Sequence, residues 1–369
     1  MANYILFGGT FDPVHNGHIR IATAASLCLN ADVVFVPARA PRWKSPFTNA
    51  KHRVKMLKLA MKKCASGSSI LDYELKSKDD INYSIDTVRY FRKKHPKDNI
   101  YFIIGADQVN KFSEWKNAEE LSNLAQIVFV SRPKYELDKN MIQLYHMRDL
   151  SFIDTGDISS TMFREMKSID IPLDVLMYIE KNRLYFVGKL AKYIPEKRLE
   201  HSLQVANLAL NIALVNSLPH PEKYFFAGLL HDVGKTYAND SEEAMNFMKK
   251  HYPHYVNLPN FAYHQFIGEY IAKNDFGITD KDILNAIKYH CTGNKNMNSV
   301  AMVVYASDKI EPTRQFDSRS LINSCLKNYN QGFIDTLIDN RKYLLSHNKD
   351  ITNELTDACF EMYLTKEGK

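Results

Sequence analysis

Two groups of residues in this chain have the types and spacing for chemistry on phosphates. Near the N-terminus stands Gly8-Gly9-Thr10-Phe11-Asp12-Pro13-Val14-His15-Asn16-Gly17-His18. Glycines between a strand and a helix let the backbone turn tightly and approach a phosphate with no Cβ in the way. His15 and His18, three apart at the start of that helix, can point at one anion. The second half carries a spaced series, His201, His231-Asp232, His264, His290 and Asp308. Neutral imidazole and carboxylate are ligands for Fe, Mn or Zn. Adjacent His231 and Asp232 reach a metal from one helix end, Asp232 can bridge two ions, and Lys235 follows one turn on to meet a phosphate. A single active site does not need both groups, so two catalytic domains in tandem are expected.

The elements that must hold these residues differ between the halves. Residues 4–7, 33–36, 101–104 and 127–130 are apolar throughout, as in a parallel sheet covered on both faces. Helical stretches are expected at 17–29, 52–63, 84–94 and 118–123. The alternation predicts an α/β doubly wound, Rossmann-like domain with ligands at the carboxyl ends of the strands. Beyond about residue 186 the strand signal stops. Leu199, Leu203, Ala206, Leu210 and Ala213 recur at helical steps, and the pattern continues in 221–230, 241–251, 261–274, 280–290, 299–310 and from 318 onward. An all-α helical bundle over 187–369 should therefore follow a first domain over 1–186, joined near Gly188.

Bulk properties narrow the setting. At 369 residues and 45% hydrophobic content the chain can build two cores. The net charge of +6 comes from lysines spread in short pairs, such as Lys62-Lys63, Lys93-Lys94 and Lys249-Lys250, so a nucleic-acid groove is not expected. No apolar run reaches the ~18 residues of a membrane span, and the N-terminus runs straight into the glycine motif without a basic leader. Cys28, Cys64, Cys291, Cys325 and Cys359 form no CxxC pair, which predicts reduced thiols and a cytoplasmic home.

The first group reproduces the pattern GxFDPxHxGH, and residues 1–186 resemble the bacterial nicotinate-nucleotide adenylyltransferases of the nucleotidyltransferase superfamily. Ile158-Ser159-Ser160-Thr161-Met162-Phe163-Arg164, Tyr83-Ser84-Ile85-Asp86-Thr87, Ile104-Gly105-Ala106-Asp107, Trp115 and Arg132-Pro133 fall in that family's order too. The resemblance implies ATP held by Gly8, Gly9, Thr10, Phe11, His15, His18, Gly105, Asp107, Ser159, Ser160, Thr161 and Arg164. Nicotinate mononucleotide would meet Ser84, Thr87, Trp115, Arg132 and Lys44, the last in a basic loop Pro41-Arg42-Trp43-Lys44. The implied reaction is in-line adenylyl transfer, with Mg²⁺ held mainly by the triphosphate and His15 and His18 as the catalytic pair. Ser84 stands where Thr is frequent, and Trp43 is additional.

The second half resembles the HD-domain phosphohydrolases, and among them the family that splits diadenosine tetraphosphate symmetrically into two ADP. Carrying residues are Arg198 with His201-Ser202, His231-Asp232-Val233-Gly234-Lys235, His264 to Gly268, His290-Cys291-Thr292-Gly293, Asp308-Lys309-Ile310-Glu311-Pro312, and Arg314. The resemblance implies a di-iron centre. One ion would take His201, His231, Asp232 and Asp308; the other would take His264 and His290 and share Asp232. Asp232 and Lys235 would be catalytic, with Lys235, Lys309 and Arg314 meeting polyphosphate charge. Cys291 and Ser307 depart from the usual Thr and Ala. Two alternatives stay open for this half: hydrolysis of another nucleotide, or a nucleotide-binding regulatory module without catalysis.

Overall fold

Among the described residues, six parallel strands form one sheet: β1 (Asn3–Gly9), β2 (Asp32–Pro37), β3 (Ser69–Ile70), β4 (Asn99–Gly105), β5 (Gln126–Val130) and β6 (Arg148–Asp149). Their order is β3-β2-β1-β4-β5-β6. The apolar runs are explained by burial on both faces. Leu6, Val34, Phe102, Ile127 and Phe129 enter one core with Ile85, Val88 and Phe91, while Ile5, Phe7, Val33, Phe35, Ile103 and Val128 are buried on the opposite face. The chain leaves β1 toward β2 and β3, then returns to pair β4 on β1's other side. That reversal opens a crevice at the carboxyl ends of β1 and β4, where ligands bind in doubly wound sheets.

The structure is a computed structural model that describes residues 1–39, 46–64, 67–77, 82–130, 136–154, 156, 158–314, 316–347 and 353–364. It divides into two compact units, Met1–Arg164 with Asp170–Tyr185, and Glu165–Ile169 with Phe186–Lys369. Helices α1 (Asn16–Leu29), α2 (Ala50–Met61), α3 (Tyr73–Lys76), α4 (Ser84–Lys94), α5 (Ala106–Val109), α6 (Ala118–Leu124), α7 (Lys139–Leu144), α8 (Ser160–Arg164) and α9 (Leu173–Lys181) accompany the sheet. The two-residue strands β3 and β6 escaped the sequence pattern, because two residues carry no period.

After α10 (Tyr185–Leu190) the second unit is helical: α11 (Glu196–Val215), α12 (Pro221–Leu230), α13 (Glu242–His251), α14 (Tyr263–Asn274), α15 (Lys281–Tyr289), α16 (Ser299–Ile310), α17 (Arg319–Lys327), α18 (Tyr329–Ser346) and α19 (Glu354–Leu364). Side-chain caps set several starts. Ser241, Asp280, Asn298 and Asn328 accept from the first free amides of α13, α15, α16 and α18, each cap contributing about 1 kcal/mol. Nine of the twelve residues of α16 are buried, so it forms the bundle's centre and can carry Asp308 inside. Among the described residues no helix is long and apolar enough to cross a membrane.

Helices α17 and α18 approach closely at Gly332 of α18. A Cβ there would lie 2.4 Å from the backbone N and Cα of Cys325 in α17. Gly332→Ala is expected to cost about 1–3 kcal/mol by overpacking. Thermal unfolding should show the loss; an unchanged transition would contradict this packing.

Candidate functional site

In the first unit the glycine motif lies where the crevice opens. Gly8 and Gly9 are still strand residues, paired with Val36 and Pro37. The left-handed residue of the following turn is Phe11, with φ of 50°, so the expectation that the glycines make the turn is corrected. What needs glycine is space. A Cβ on Gly9 would sit 2.9 Å from the Phe11 ring, while a Cβ on Gly8, whose backbone is exposed, would meet nothing within 4 Å among the described residues. His15 caps α1 and His18 is its third residue, with ring centroids 3.7 Å apart. The His15 amide donates to His18 Nδ1 at 3.2 Å, so a neutral His18 carries its proton on Nε2. No acidic residue occupies the first turn of α1, so the helix's positive end carries no carboxylate of its own.

Asp12, 2% exposed, ties the surrounding segments together. Oδ2 accepts from the Phe47 and Thr48 amides at 2.6 and 3.2 Å; Oδ1 accepts from Thr48 Oγ1 at 2.7 Å and the Tyr185 hydroxyl at 2.6 Å. Burial and the Asp12 charge push the Tyr185 phenol upward, keeping it a donor. Arg164 donates to the Asp12 carbonyl and, at 2.9 Å, to Thr161 Oγ1, while Ser160 Oγ donates to the Pro13 carbonyl at 2.8 Å. Ser159 Oγ accepts from the Met162 amide at 3.2 Å. The two signature segments are thus hydrogen-bonded to each other. Arg53, buried in α2, donates to the carbonyls of Thr10 at 2.8 Å and Ala38 at 2.7 Å, and burial lowers its pKa. Sequence reasoning missed both Arg53 and Tyr185.

At the end of β4, a Cβ on Gly105 would meet Asp107 Oδ1 at 2.3 Å, so glycine lets the Asp107 side chain fold back there. Ser84 is half-buried at the start of α4. Half-buried Trp115 packs on Phe112 and Phe102, with centroids 5.3 and 6.3 Å away. Thr87 is buried and donates to Glu74 Oε1 at 2.8 Å, an acceptor whose pKa burial raises. Lys44 and Arg132, with Pro41, Arg42, Trp43 and Pro133, lie outside the described residues.

In the second unit all six residues of the histidine series converge. His201, His231 and Asp232 form one group of potential ligand atoms, His231, His290 and Asp308 a second, and Asp232, His264 and His290 a third, each within 4.8 Å. Helix ends supply most of them. His231 closes α12, Asp232 opens a short 3-10 turn, His264 begins α14 and His290 closes α15. Gly234 makes this possible, since a Cβ there would lie 2.0 Å from the His264 carbonyl oxygen. Asp232 points its oxygens two ways. Oδ2 lies 3.6 Å from His231 Nε2, and Oδ1 lies 3.5 Å from both His264 Nε2 and His290 Nε2. Asp308 Oδ1 lies 3.1 Å from His201 Nε2 and 3.5 Å from His231 Nε2.

These donors fit divalent cations. His231, His264 and His290 each turn Nδ1 to the carbonyl three residues earlier, at 2.7, 2.7 and 2.8 Å, leaving Nε2 as a lone pair facing inward. His264 Nε2 and His290 Nε2 stand 3.0 Å apart, a repulsive pair unless positive charge lies between them. His231 Nε2 and Asp232 Oδ1 are buried with no hydrogen-bond partner among the described residues. Burial, with His290 close by, holds His264 well below the usual histidine pKa, and burial also lowers His290, so both favour the ligating form. Burial opposes ionisation of Asp232 and Asp308, but His231, His290 and Lys235 around the first, and Lys309 and His201 around the second, hold both carboxyls well below their ordinary range.

The expected phosphate-binding cations surround the same carboxylates. Lys235 Nζ is 3.1 Å from Asp232 Oδ1, Lys309 Nζ 2.7 Å from Asp308 Oδ2, and Arg314 Nη2 2.9 Å from Asp308 Oδ1. Arg198 joins them, 2.8 Å from Asp232 Oδ2. Neither it nor Glu311, which faces His201 Nδ1 at 3.1 Å, was given a role from sequence.

The fold and these sites define a nucleotidyltransferase-type α/β unit followed by an HD-type helical unit. Residues 6–166 match the family model described as cytidylyltransferase-like, and residues 198–313 match the HD domain. A protein of Mycoplasma genitalium described as a probable nicotinate-nucleotide adenylyltransferase/Ap4A hydrolase is 33% identical over 356 residues, covering 94% of this chain and 99% of its own. A Mycoplasma pneumoniae protein of the same description is 31% identical, covering 84% and 89%. The nicotinate-nucleotide adenylyltransferase of Bacillus subtilis is 34% identical over 49% of this chain and 96% of its own. The chain belongs to the family of two-domain nicotinate-nucleotide adenylyltransferase/Ap4A hydrolases.

Tyr185→Phe is expected to destabilise the first unit by about 1.5–3 kcal/mol, because Asp12 loses a charge-assisted hydrogen bond. Urea unfolding followed by Trp43 and Trp115 fluorescence reads this unit alone, since the chain has no other tryptophan. An unchanged midpoint would contradict the role given to the phenol.

Proposed function

We propose that the chain is a bifunctional enzyme of nucleotide metabolism. Residues 1–186 transfer the adenylyl group of ATP to nicotinate mononucleotide, giving deamido-NAD and pyrophosphate. Residues 187–369 hydrolyse diadenosine tetraphosphate to two ADP. The observation that carries this reading is that each unit has its own set of groups for phosphate chemistry: His15 and His18 beside the open Gly8 backbone in one, six converging ligand side chains in the other. Five free cysteines support a cytoplasmic home.

In adenylyl transfer a phosphate oxygen of the mononucleotide forms a bond to the α-phosphorus of ATP as the bond to pyrophosphate breaks. No covalent enzyme intermediate is required, so positioning and charge stabilisation carry the rate. His18 offers Nε2–H and His15 its ring from the positive end of α1, where negative charge builds on phosphate oxygens. Gly8, Gly9, Thr10 and Phe11 border the triphosphate, Ser159, Ser160, Thr161 and Arg164 face it from the second signature, and Gly105 and Asp107 close the β4 side. Ser84, Thr87, Trp115, Lys44 and Arg132 serve the mononucleotide, with Mg²⁺ arriving on ATP. His18→Ala should lower turnover by about 10²–10³-fold without loss of folding. Near-normal dinucleotide synthesis by the soluble variant would remove this assignment.

In the second unit His201, His231, Asp232 and Asp308 would hold one divalent cation and His264 with His290 another, with Asp232 shared between them; iron is the proposed metal. Two such cations, when bound, acidify water and polarise phosphoryl oxygens. Lys235, Lys309 and Arg314 neutralise the polyphosphate, and Arg198 is paired with Asp232 Oδ2 at 2.8 Å. Incubation of diadenosine tetraphosphate with protein and Fe²⁺ without oxygen should give ADP as sole product, and Asp232→Ala should abolish it. ATP plus AMP would exclude the symmetric cut. Normal turnover by Asp232→Ala would sink the ligand scheme.

A further inference from the structure

Three of the four histidines in the cluster orient themselves on their own backbone. His231, His264 and His290 each place Nδ1 on the carbonyl three residues earlier. His201 lies inside α11, where the preceding carbonyls serve the helix. Its Nδ1 faces a side chain instead, Glu311 Oε1, at 3.1 Å. Glu311 is 2% exposed, follows the last residue of α16 and lies three residues beyond Asp308. Its carboxylate is held by the Thr313 amide at 2.6 Å and by Thr313 Oγ1 at 2.8 and 2.7 Å. It stands behind the ring, whereas Asp308 stands 3.1 Å from Nε2 on the other side. Glu311 is therefore aligned to orient His201 and not to act as another ligand.

We propose that Glu311 is the positioning residue of His201 and sets the affinity of the cation position on that side alone. The inference rests on the two-cation reading above. A carboxylate accepts only, so the ring turns Nδ1–H to Glu311; Nε2 faces Asp308 Oδ1 at 3.1 Å on the other side, and a cation bound there would take the place of the Nε2 proton. Facing a carboxylate also raises the basicity of the ligating nitrogen. The other cation position uses His264 and His290, whose orientation depends on Phe261 and Ile287 carbonyls that Glu311 does not touch.

The test is Mn²⁺ titration of the full-length apoprotein by calorimetry, comparing wild type with Glu311→Ala and Glu311→Gln. Wild type should bind two ions. Glu311→Ala should weaken one of them by about 10–100-fold and leave the other unchanged. Glu311→Gln, whose amide oxygen can accept the same N–H, should recover most of the loss. Thermal unfolding without metal separates a folding defect, and the isosteric Gln variant keeps the comparison open if the Ala variant unfolds. Equal weakening of both ions, no weakening, or a Gln variant no better than Ala would overturn the proposal. Fewer than two ions on wild type would overturn the two-cation reading itself, and the proposal with it.

Discussion

An ionised carboxylate taken fully out of water costs several kcal/mol unless it is paired, and Asp232 is 1% exposed. The architecture of the second unit follows from compensating that one charge. Arg198 near the start of α11, Lys235 one turn beyond Asp232, and the histidines that end α12 and α15 or begin α14 all converge on it. Helix ends suit this, because there the backbone turns and a histidine can rest Nδ1 on a nearby carbonyl. Buried α16 brings Asp308 to the same centre. The compensation is incomplete: beyond the Lys235 ion pair, Oδ1 has no hydrogen-bond partner among the described residues, and two histidine lone pairs face each other beside it. A cation completes such a centre where a hydrogen bond would only seal it.

Asp12 in the first unit answers the same problem differently. It is as buried as Asp232, yet both oxygens are engaged by amides and hydroxyls from residues 47, 48 and 185. A carboxylate satisfied in this way fixes backbone. It anchors the Phe11 turn, and Arg164 on the Asp12 carbonyl joins the second signature to the first. The proposed chemistry falls to the neighbouring His15 and His18 at the start of α1. One unit uses its buried carboxylate for structure; in the other it is the proposed shared ligand.

The sequence pattern revealed much of this because periodicity and residue type are local. The continuous apolar runs of β1, β2, β4 and β5 could only suit a sheet buried on both faces. The six-member series was legible from its residue types together with the resemblance to the HD-domain phosphohydrolases. What stayed hidden depends on distant partners. Arg53 looked like one basic residue in an amphipathic helix until its contacts with Thr10 and Ala38 were seen. Tyr185 lies far along the chain from Asp12, and Glu311 sat in a recognised run without any local sign that it faces His201. Phe11, not a glycine, takes the left-handed backbone, because the surrounding hydrogen bonds impose a conformation that residue type disfavours.

Anomalous diffraction from crystals of the full-length protein loaded with Fe²⁺ or Mn²⁺ tests the central claim most directly. Two peaks, one beside each oxygen of Asp232, are predicted: one also facing His231, His201 and Asp308, the other facing His264 and His290. A single peak, or metal bound away from Asp232, would contradict the bridging role proposed for it.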